Sequence, residues 1–243
     1  MARFFVSAEQ KNEDQIVIAG NDFRHLHSVL RMKEGDALTV TVDGTGVFRC
    51  RIQAFETDRA VLEVLSGIEE SHEPETRVTL FQGLPKGDKL EQVIEKSVEL
   101  GVSEIVPVLM KRSVVKPDPR KEEARTVRRN KIAEAAAKQS LRDVIPEVKP
   151  IMTFEEAVEY ARGLDLSLVP FEAADNMAET TEILRTIPKG SRVGVFIGPE
   201  GGFDGEEIEA VTEAGFRIVS LGKRILRTET AGPALLAVLL FGQ

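Results

Sequence analysis

The chain of 243 residues is 42% hydrophobic and 30% charged with a formal charge of −8, a composition that can bury a core and excludes a disordered or fibrous protein. A single cysteine, Cys50, excludes an intramolecular disulfide, and with only His25, His27 and His72 there is no Cys/His cluster at zinc spacing, so no metal is expected and catalysis falls to carboxylates, Lys/Arg and backbone groups. No uncharged apolar run reaches the roughly 18 residues a bilayer requires, the longest uncharged stretch being 230–243, and the start "MARFFVSAEQK" lacks a signal-peptide core; a cytoplasmic protein with no membrane span is expected.

From residue 1 to about 70 the pattern is strand-like. Alternation places Leu38, Val40 and Val42 on one face, Asp43-Gly44 reads as a hairpin turn before a strand over 47–52, and "RAVLEVL" supplies another. With a short amphipathic helix over 23–32, these predict a small β-rich domain, a closed or half-closed barrel. Cys50 falls in its wall, and His25 and His27 read as fold-supporting or surface residues. The polar stretch 69–75, with Pro74, reads as a linker.

Beyond residue 76 short apolar runs alternate with helical segments. Strands are expected over 78–82, 105–108, 166–169, 193–197 and 217–221, and helices over 89–100, 121–141, 154–162, 206–214 and 231–241. Asp88 and Glu91 form a capping-box pattern at the first helix. Alternation of this kind predicts a parallel sheet with ligand sites at the carboxyl ends of its strands.

Charge is unevenly spread. Between Lys111 and Arg142 eleven basic residues face four acidic ones, a local charge of +7 that leaves −15 elsewhere. A concentrated basic face on an acidic protein fits either a solvated helix surface or a local phosphate-binding surface, because counterion release depends on local charge.

Two segments carry the chemistry. The apolar strand "VGVFI" runs into "GPEGGF", 198–203, whose glycines let backbone approach a ligand closely. No dinucleotide fingerprint or P-loop is present. The second segment, "SLGKRILRTETAGPALLAVLLF", 220–241, is a basic loop followed by a helix apolar nearly all round, capped by Thr228 or Thr230, with Pro233 in its first turn. Such a helix must be buried in the core or against another subunit. Lys223, Arg224, Arg227 and Glu229 beside it read as a salt-bridged helix start or a pocket wall.

"IGPEGGF" followed by "LGKRILRTETA" resembles the motif pair of the RsmE family of SPOUT methyltransferases, which methylate N3 of one uridine in 16S ribosomal RNA. The "RFFV" start, "HSVLRMKEGD" (27–36), "KGDKLEQVIEKSVELGV" (86–102), "RSVVK" (112–116) and "EAAAKQSLR" (134–142) agree with that family over nearly the whole chain. The resemblance implies an α/β protein with a PUA-like RNA-binding β-barrel over 1–72 and a SPOUT methyltransferase domain over 73–243, with a parallel sheet and a deep trefoil knot. It implies S-adenosylmethionine as cofactor and a homodimer acting on 16S ribosomal RNA within the small ribosomal subunit.

On that resemblance Phe171, Glu172, Gly198, Pro199, Glu200, Gly201, Gly202, Leu221, Gly222, Ile225, Leu226 and Arg227 are expected to hold the cofactor. Arg227 is expected to stabilise the uracil anion or its adjacent phosphate, with Glu200 or Glu229 as base or as a residue that holds the loop. Because N3 lies on the Watson–Crick edge, the target must be unpaired or flipped. RNA contact is expected at Arg3, Arg31, Arg112, Lys116, Lys138, Gln139, Ser140 and Arg142. Two other readings fit the same residues: a SPOUT enzyme with a different RNA target, and a ribosome-assembly factor that binds RNA without the cofactor.

Overall fold

The computed structural model describes residues 3–174 and 176–241. The chain divides into two compact units: residues 1–73 with 141–144, and residues 74–140 with 145–243. The expected boundary at 72/73 leaves out the short segment 141–144, which belongs with the first unit although 67 residues separate it from Glu73 in sequence.

In the first unit, β1 (Arg3–Val6), β2 (Gln15–Ala19), β3 (Ala37–Val42), β4 (Gly46–Phe55) and β5 (Arg59–Ile68) form one sheet in the order β1-β3-β4-β5-β2. Only β1 and β3 run parallel. The hairpin between β3 and β4 turns at Gly44, whose φ of 63° is the left-handed conformation that glycine adopts without strain. Leu38, Val40 and Val42 share the core with Phe4, Ile16, Ile18, Ile52 and Leu62. Cys50 lies in that core too, where burial pushes its thiol up to about 11. The expected helix over 23–32 lies earlier: α1 (Gly20–Arg24) continues into a π-helical turn (His25–Val29), and Arg31 has a positive φ of 52°. His27 stacks on Phe23 at 5.7 Å and meets Phe55 edge-on at 5.1 Å.

Two ion pairs fasten the segment 141–144. Arg3 pairs with Asp143, and Arg142 pairs with Glu73, whose carboxylate also accepts the Asp143 N–H at 2.8 Å. The stretch expected to act as a linker is therefore tied down at Glu73.

In the second unit, β6 (Arg77–Gly83), α2 (Lys89–Glu99), β7 (Glu104–Leu109), α3 (Pro119–Gln139), β8 (Glu147–Val148), β9 (Met152–Thr153), α4 (Phe154–Ala161), β10 (Leu166–Pro170), α5 (Met177–Thr186), β11 (Arg192–Ile197), α6 (Gly205–Glu213), β12 (Arg217–Val219) and α7 (Thr228–Leu240) follow in order. The strands form a parallel sheet ordered β12-β10-β11-β6-β7-β8, with β9 also on β7. β6 and β11 are buried along their length after the first residue, as central parallel strands covered on both faces must be. Phe81, Phe196 and Phe216 anchor the core beneath α4 and α6.

Four local expectations are corrected. Asp88 precedes α2 but its side chain makes no capping bond, and Glu91 instead pairs with Arg128 at 2.9 Å. Helix α3 starts at Pro119, its N-terminus capped by Asp118 accepting from the Arg120 N–H. Helix α5 has no counterpart in the sequence reading, because "MAETTEILRT" buries only Thr180 and so lacks an apolar stripe. Helix α7 begins at Thr228, which puts Pro233 in the second turn, and neither Thr228 nor Thr230 caps it; its N-cap is Arg227, whose carbonyl accepts from the N–H groups of Thr230 and Ala231.

Candidate functional site

The carboxyl ends of β12, β10 and β11 stand side by side because β10 pairs in parallel with β12 on one edge and β11 on the other. The loops that leave them enclose two adjoining cavities of about 370 and 380 Å³, a size typical of small-molecule sites. Pro170, Glu172, Ile225, Leu226 and Ala231 line both. Gly198, Pro199, Glu200, Gly201, Gly202, Arg227 and Glu229 line the first, and Phe171, Leu221 and Gly222 the second. All twelve residues expected at a cofactor are thus brought to one continuous hollow. Its lining also includes Lys89, Thr228, Lys223 and Arg224.

The glycines are needed for close approach. A Cβ on Gly198 would stand 3.0 Å from the Gly202 carbonyl carbon, and one on Gly201 would stand 3.1 Å from Arg112 Cβ. Gly202 and Gly222 adopt positive φ values of 68° and 95°. The loop is further seated by Pro199, which sits where a Cβ on Gly83 would be, 2.7 Å away.

A buried chain of hydrogen bonds joins three elements under this loop. The Gln82 amide, at the end of β6, donates to the Thr228 hydroxyl at 2.8 Å, and that hydroxyl donates to the Gly198 carbonyl at 2.7 Å. Thr228, read from sequence as a helix cap, instead holds the glycine loop to the start of α7.

Charge is concentrated on the first cavity. The Lys89 ammonium lies 3.1 Å from Glu200 Oε1 and 3.3 Å from Glu229 Oε2. Burial pushes the Glu200 carboxyl up, but its own N–H, the N–H of Lys86 and the Lys89 ammonium outweigh this and hold it below the usual carboxylate range. Lys89 is held above its ordinary value, chiefly by Glu200. Glu172 faces the same space from the end of β10, its Oε1 3.5 Å from where a Gly202 Cβ would lie. Arg227 is exposed at the cavity and makes no ion pair among the described residues. Three carboxylates beside one unpaired guanidinium suit a cationic ligand next to a group that becomes anionic. Lys89 was missed from sequence because its position one residue after Asp88 marked only a helix start.

The residues expected at RNA fall into two groups. Arg112 is exposed on the rim of the glycine loop, donating to the Gly201 carbonyl at 3.1 Å, and Arg31, Lys116 and Gln139 are exposed. Lys138 pairs with Glu134 at 2.8 Å, and the Ser140 hydroxyl donates to the Ala136 carbonyl at 2.7 Å. Arg3 and Arg142 do not fit the expectation: both are buried and paired with Asp143 and Glu73, so their charge is spent inside the first unit. Sequence could not separate them from surface cations, because burial of an arginine depends on a distant carboxylate.

Residues 72–240 match the model of an RNA methyltransferase domain, and residues 18–65 that of an RNA methyltransferase PUA domain. The ribosomal RNA small subunit methyltransferase E of Bacillus subtilis is 34% identical over 95% of this chain and 93% of its own length. The solved enzyme of that name from Neisseria gonorrhoeae, bound to S-adenosyl methionine, is 32% identical with a TM-score of 0.82, covering 98% of this chain and 96% of that one. A Legionella pneumophila methyltransferase in complex with the same cofactor superposes with a TM-score of 0.83 at 31% identity, over the same shares of the two chains. The glycine-lined hollow at the ends of β10, β11 and β12 is thus part of a fold shared from end to end with methyltransferases, and this chain belongs to the ribosomal RNA small subunit methyltransferase E family.

Proposed function

We propose that this protein transfers a methyl group from S-adenosylmethionine to N3 of one uridine in 16S ribosomal RNA of the small subunit, as a cytoplasmic homodimer. The observation that carries the reading is the cavity itself, walled by Gly198, Gly201, Gly202 and Gly222 in a fold whose solved relatives hold that cofactor. The residues fit the group. Glycine walls admit a flat base and ribose against backbone, and Glu172, Glu200 and Glu229 offset a sulfonium charge.

When bound, the cofactor supplies an electrophilic methyl group. Leu221, Gly222, Ile225 and Leu226 hold its adenosyl part together with the loop 198–202, and Phe171 and Glu172 form the third wall. Arg227, charged and unpaired, stabilises the uracil anion that forms when the N3 proton leaves. Glu200 or Glu229 accepts that proton; Lys89 and two backbone N–H groups hold Glu200 below the usual carboxylate range, which weakens it in that role.

For RNA the exposed cations Arg31, Arg112 and Lys116 hold phosphates, Gln139 reaches base or ribose, and Arg120, Lys121, Arg125 and Lys131 extend the charge along the outer face of α3. A second copy covers the outer face of α7, where Val238 is 62% and Phe241 75% exposed. The second unit, with its parallel sheet, is read as a SPOUT domain carrying a trefoil knot.

Transfer of labelled methyl from S-adenosylmethionine to small-subunit particles lacking the modification, followed by nucleoside analysis, tests the reading. Label in N3-methyluridine is expected; label in another nucleoside overturns the target, and cofactor binding without transfer to RNA overturns the activity. Sedimentation as a monomer at micromolar concentration overturns the dimer.

A further inference from the structure

Lys89, the first residue of α2, is the one cation among the described residues that joins both sides of the first cavity. Its two partners come from separate pieces of chain, Glu200 from the loop after β11 and Glu229 from the first turn of α7. Glu200 Oε1 also accepts the Lys86 N–H at 3.1 Å, so the approach to α2 grips this carboxylate twice. Glu229 Oε2 is buried, and among the described residues the Lys89 ammonium at 3.3 Å is the cation it meets.

We propose that Lys89 is a positioning residue for methyl transfer: its ammonium ties the glycine loop to the start of α7 across the cavity and fixes Glu200 and Glu229 at its wall. The proposal rests on the reading of this cavity as the methyl-transfer pocket. Both carboxylates touch one nitrogen, which places them within about 6.5 Å of each other, close enough for strong repulsion in a partly buried site without the cation. That repulsion would spread the loops and displace the acceptor.

The charged groups around Glu200 fix the sign of the pH dependence. The Lys89 ammonium and the Lys86 N–H meet it from the start of α2, Arg112 lies on the rim beside Gly201, and Arg227 at the N-cap of α7, Glu229 in its first turn and Glu172 line the same cavity. Loss of Lys89 removes a group that lowers Glu200 and leaves burial, which raises it, opposed only by the two backbone N–H groups. The ionised pocket is then lost at higher pH, and the acid limb of activity moves up.

The test uses the full chain with small-subunit particles lacking the modification, comparing wild type, Lys89→Met, Lys89→Arg, Glu200→Gln and the double variant Lys89→Met/Glu200→Gln. Cofactor affinity is measured by calorimetry, kcat and KM are followed across pH, and melting curves check folding. Lys89→Met is expected to reduce kcat/KM for S-adenosylmethionine about tenfold and to move the acid limb upward, with Lys89→Arg recovering most of both. The double variant is expected to lose less than the product of the single losses, since the two changes remove one contact. If Lys89→Met does not fold, Lys89→Gln decides, because it keeps a hydrogen-bond donor and removes the charge: an unchanged kcat/KM and an unmoved acid limb overturn the proposal. Lys89→Met indistinguishable from wild type, or a loss that arginine does not restore, overturns the proposal alone. A wild-type protein that binds no S-adenosylmethionine overturns the pocket reading and the proposal with it.

Discussion

Thr228 Oγ donates a 2.7 Å hydrogen bond to the carbonyl of Gly198, thirty residues earlier, while accepting one from Gln82. A side chain at the first position of α7 thereby sets the height of the glycine loop. Thr228→Val keeps the shape and leaves the buried Gln82 amide and the Gly198 carbonyl short of partners. It is expected to lower stability by about 1–3 kcal/mol and to weaken cofactor binding, whereas Thr228→Ser keeps both near wild type. Denaturant unfolding and a cofactor titration on the two variants check this.

Gly198→Ala places a methyl 3.0 Å from the Gly202 backbone, where a backbone rather than a flexible side chain must move. Cofactor affinity is expected to fall at least about tenfold, as loss of a fitted contact does. Gly205→Ala serves as the control, because nothing lies within 4 Å of its Cβ position and its φ is ordinary. Calorimetric titration of both variants makes the comparison.

Arg227 offers the cavity a charge committed to no carboxylate among the described residues. Arg227→Ala is expected to lower kcat about 10²–10³-fold, the scale for removing one group that stabilises developing anionic charge, while cofactor affinity changes little. Single-turnover methyl transfer with saturating cofactor separates the two effects.

In the first unit, burial pushes the Asp143 carboxyl up, but the His72 N–H and Arg3 outweigh it and hold the group below its ordinary value. A carboxylate depressed in the folded state stabilises above its unfolded value of about 4, and that stability is lost as pH falls through the folded value. Acid unfolding followed by circular dichroism should therefore be shallower in Asp143→Asn. At neutral pH Arg3→Met, which leaves Asp143 buried without its ion pair, is expected to lower stability by about 3–5 kcal/mol.

Periodicity made most elements legible. Alternating Leu38, Val40 and Val42 marked a strand, and the apolar runs at Val78 and Val193 marked central strands, because these patterns answer to local geometry and burial; that Thr39 and Thr41 are buried as well was not legible. Helix α5 was not legible, since it buries one threonine and is held by its place in the chain rather than by an apolar face. The glycine loop declared itself because three glycines and a proline within five residues are wasteful unless backbone must come close to something.

What the sequence determined by itself was most of the elements, the two glycine-bearing loops and the residue types available for chemistry, all of which depend on neighbours within a few positions. Tertiary structure alone decided that β11 lies between β10 and β6, that Lys89 meets Glu200 and Glu229, and that Arg3 and Arg142 are buried struts rather than surface cations. Each of these depends on pairing between residues about thirty to a hundred and forty positions apart, and the free energy that selects such pairings, desolvation set against ion pairing and sheet register, has no local signature in the chain.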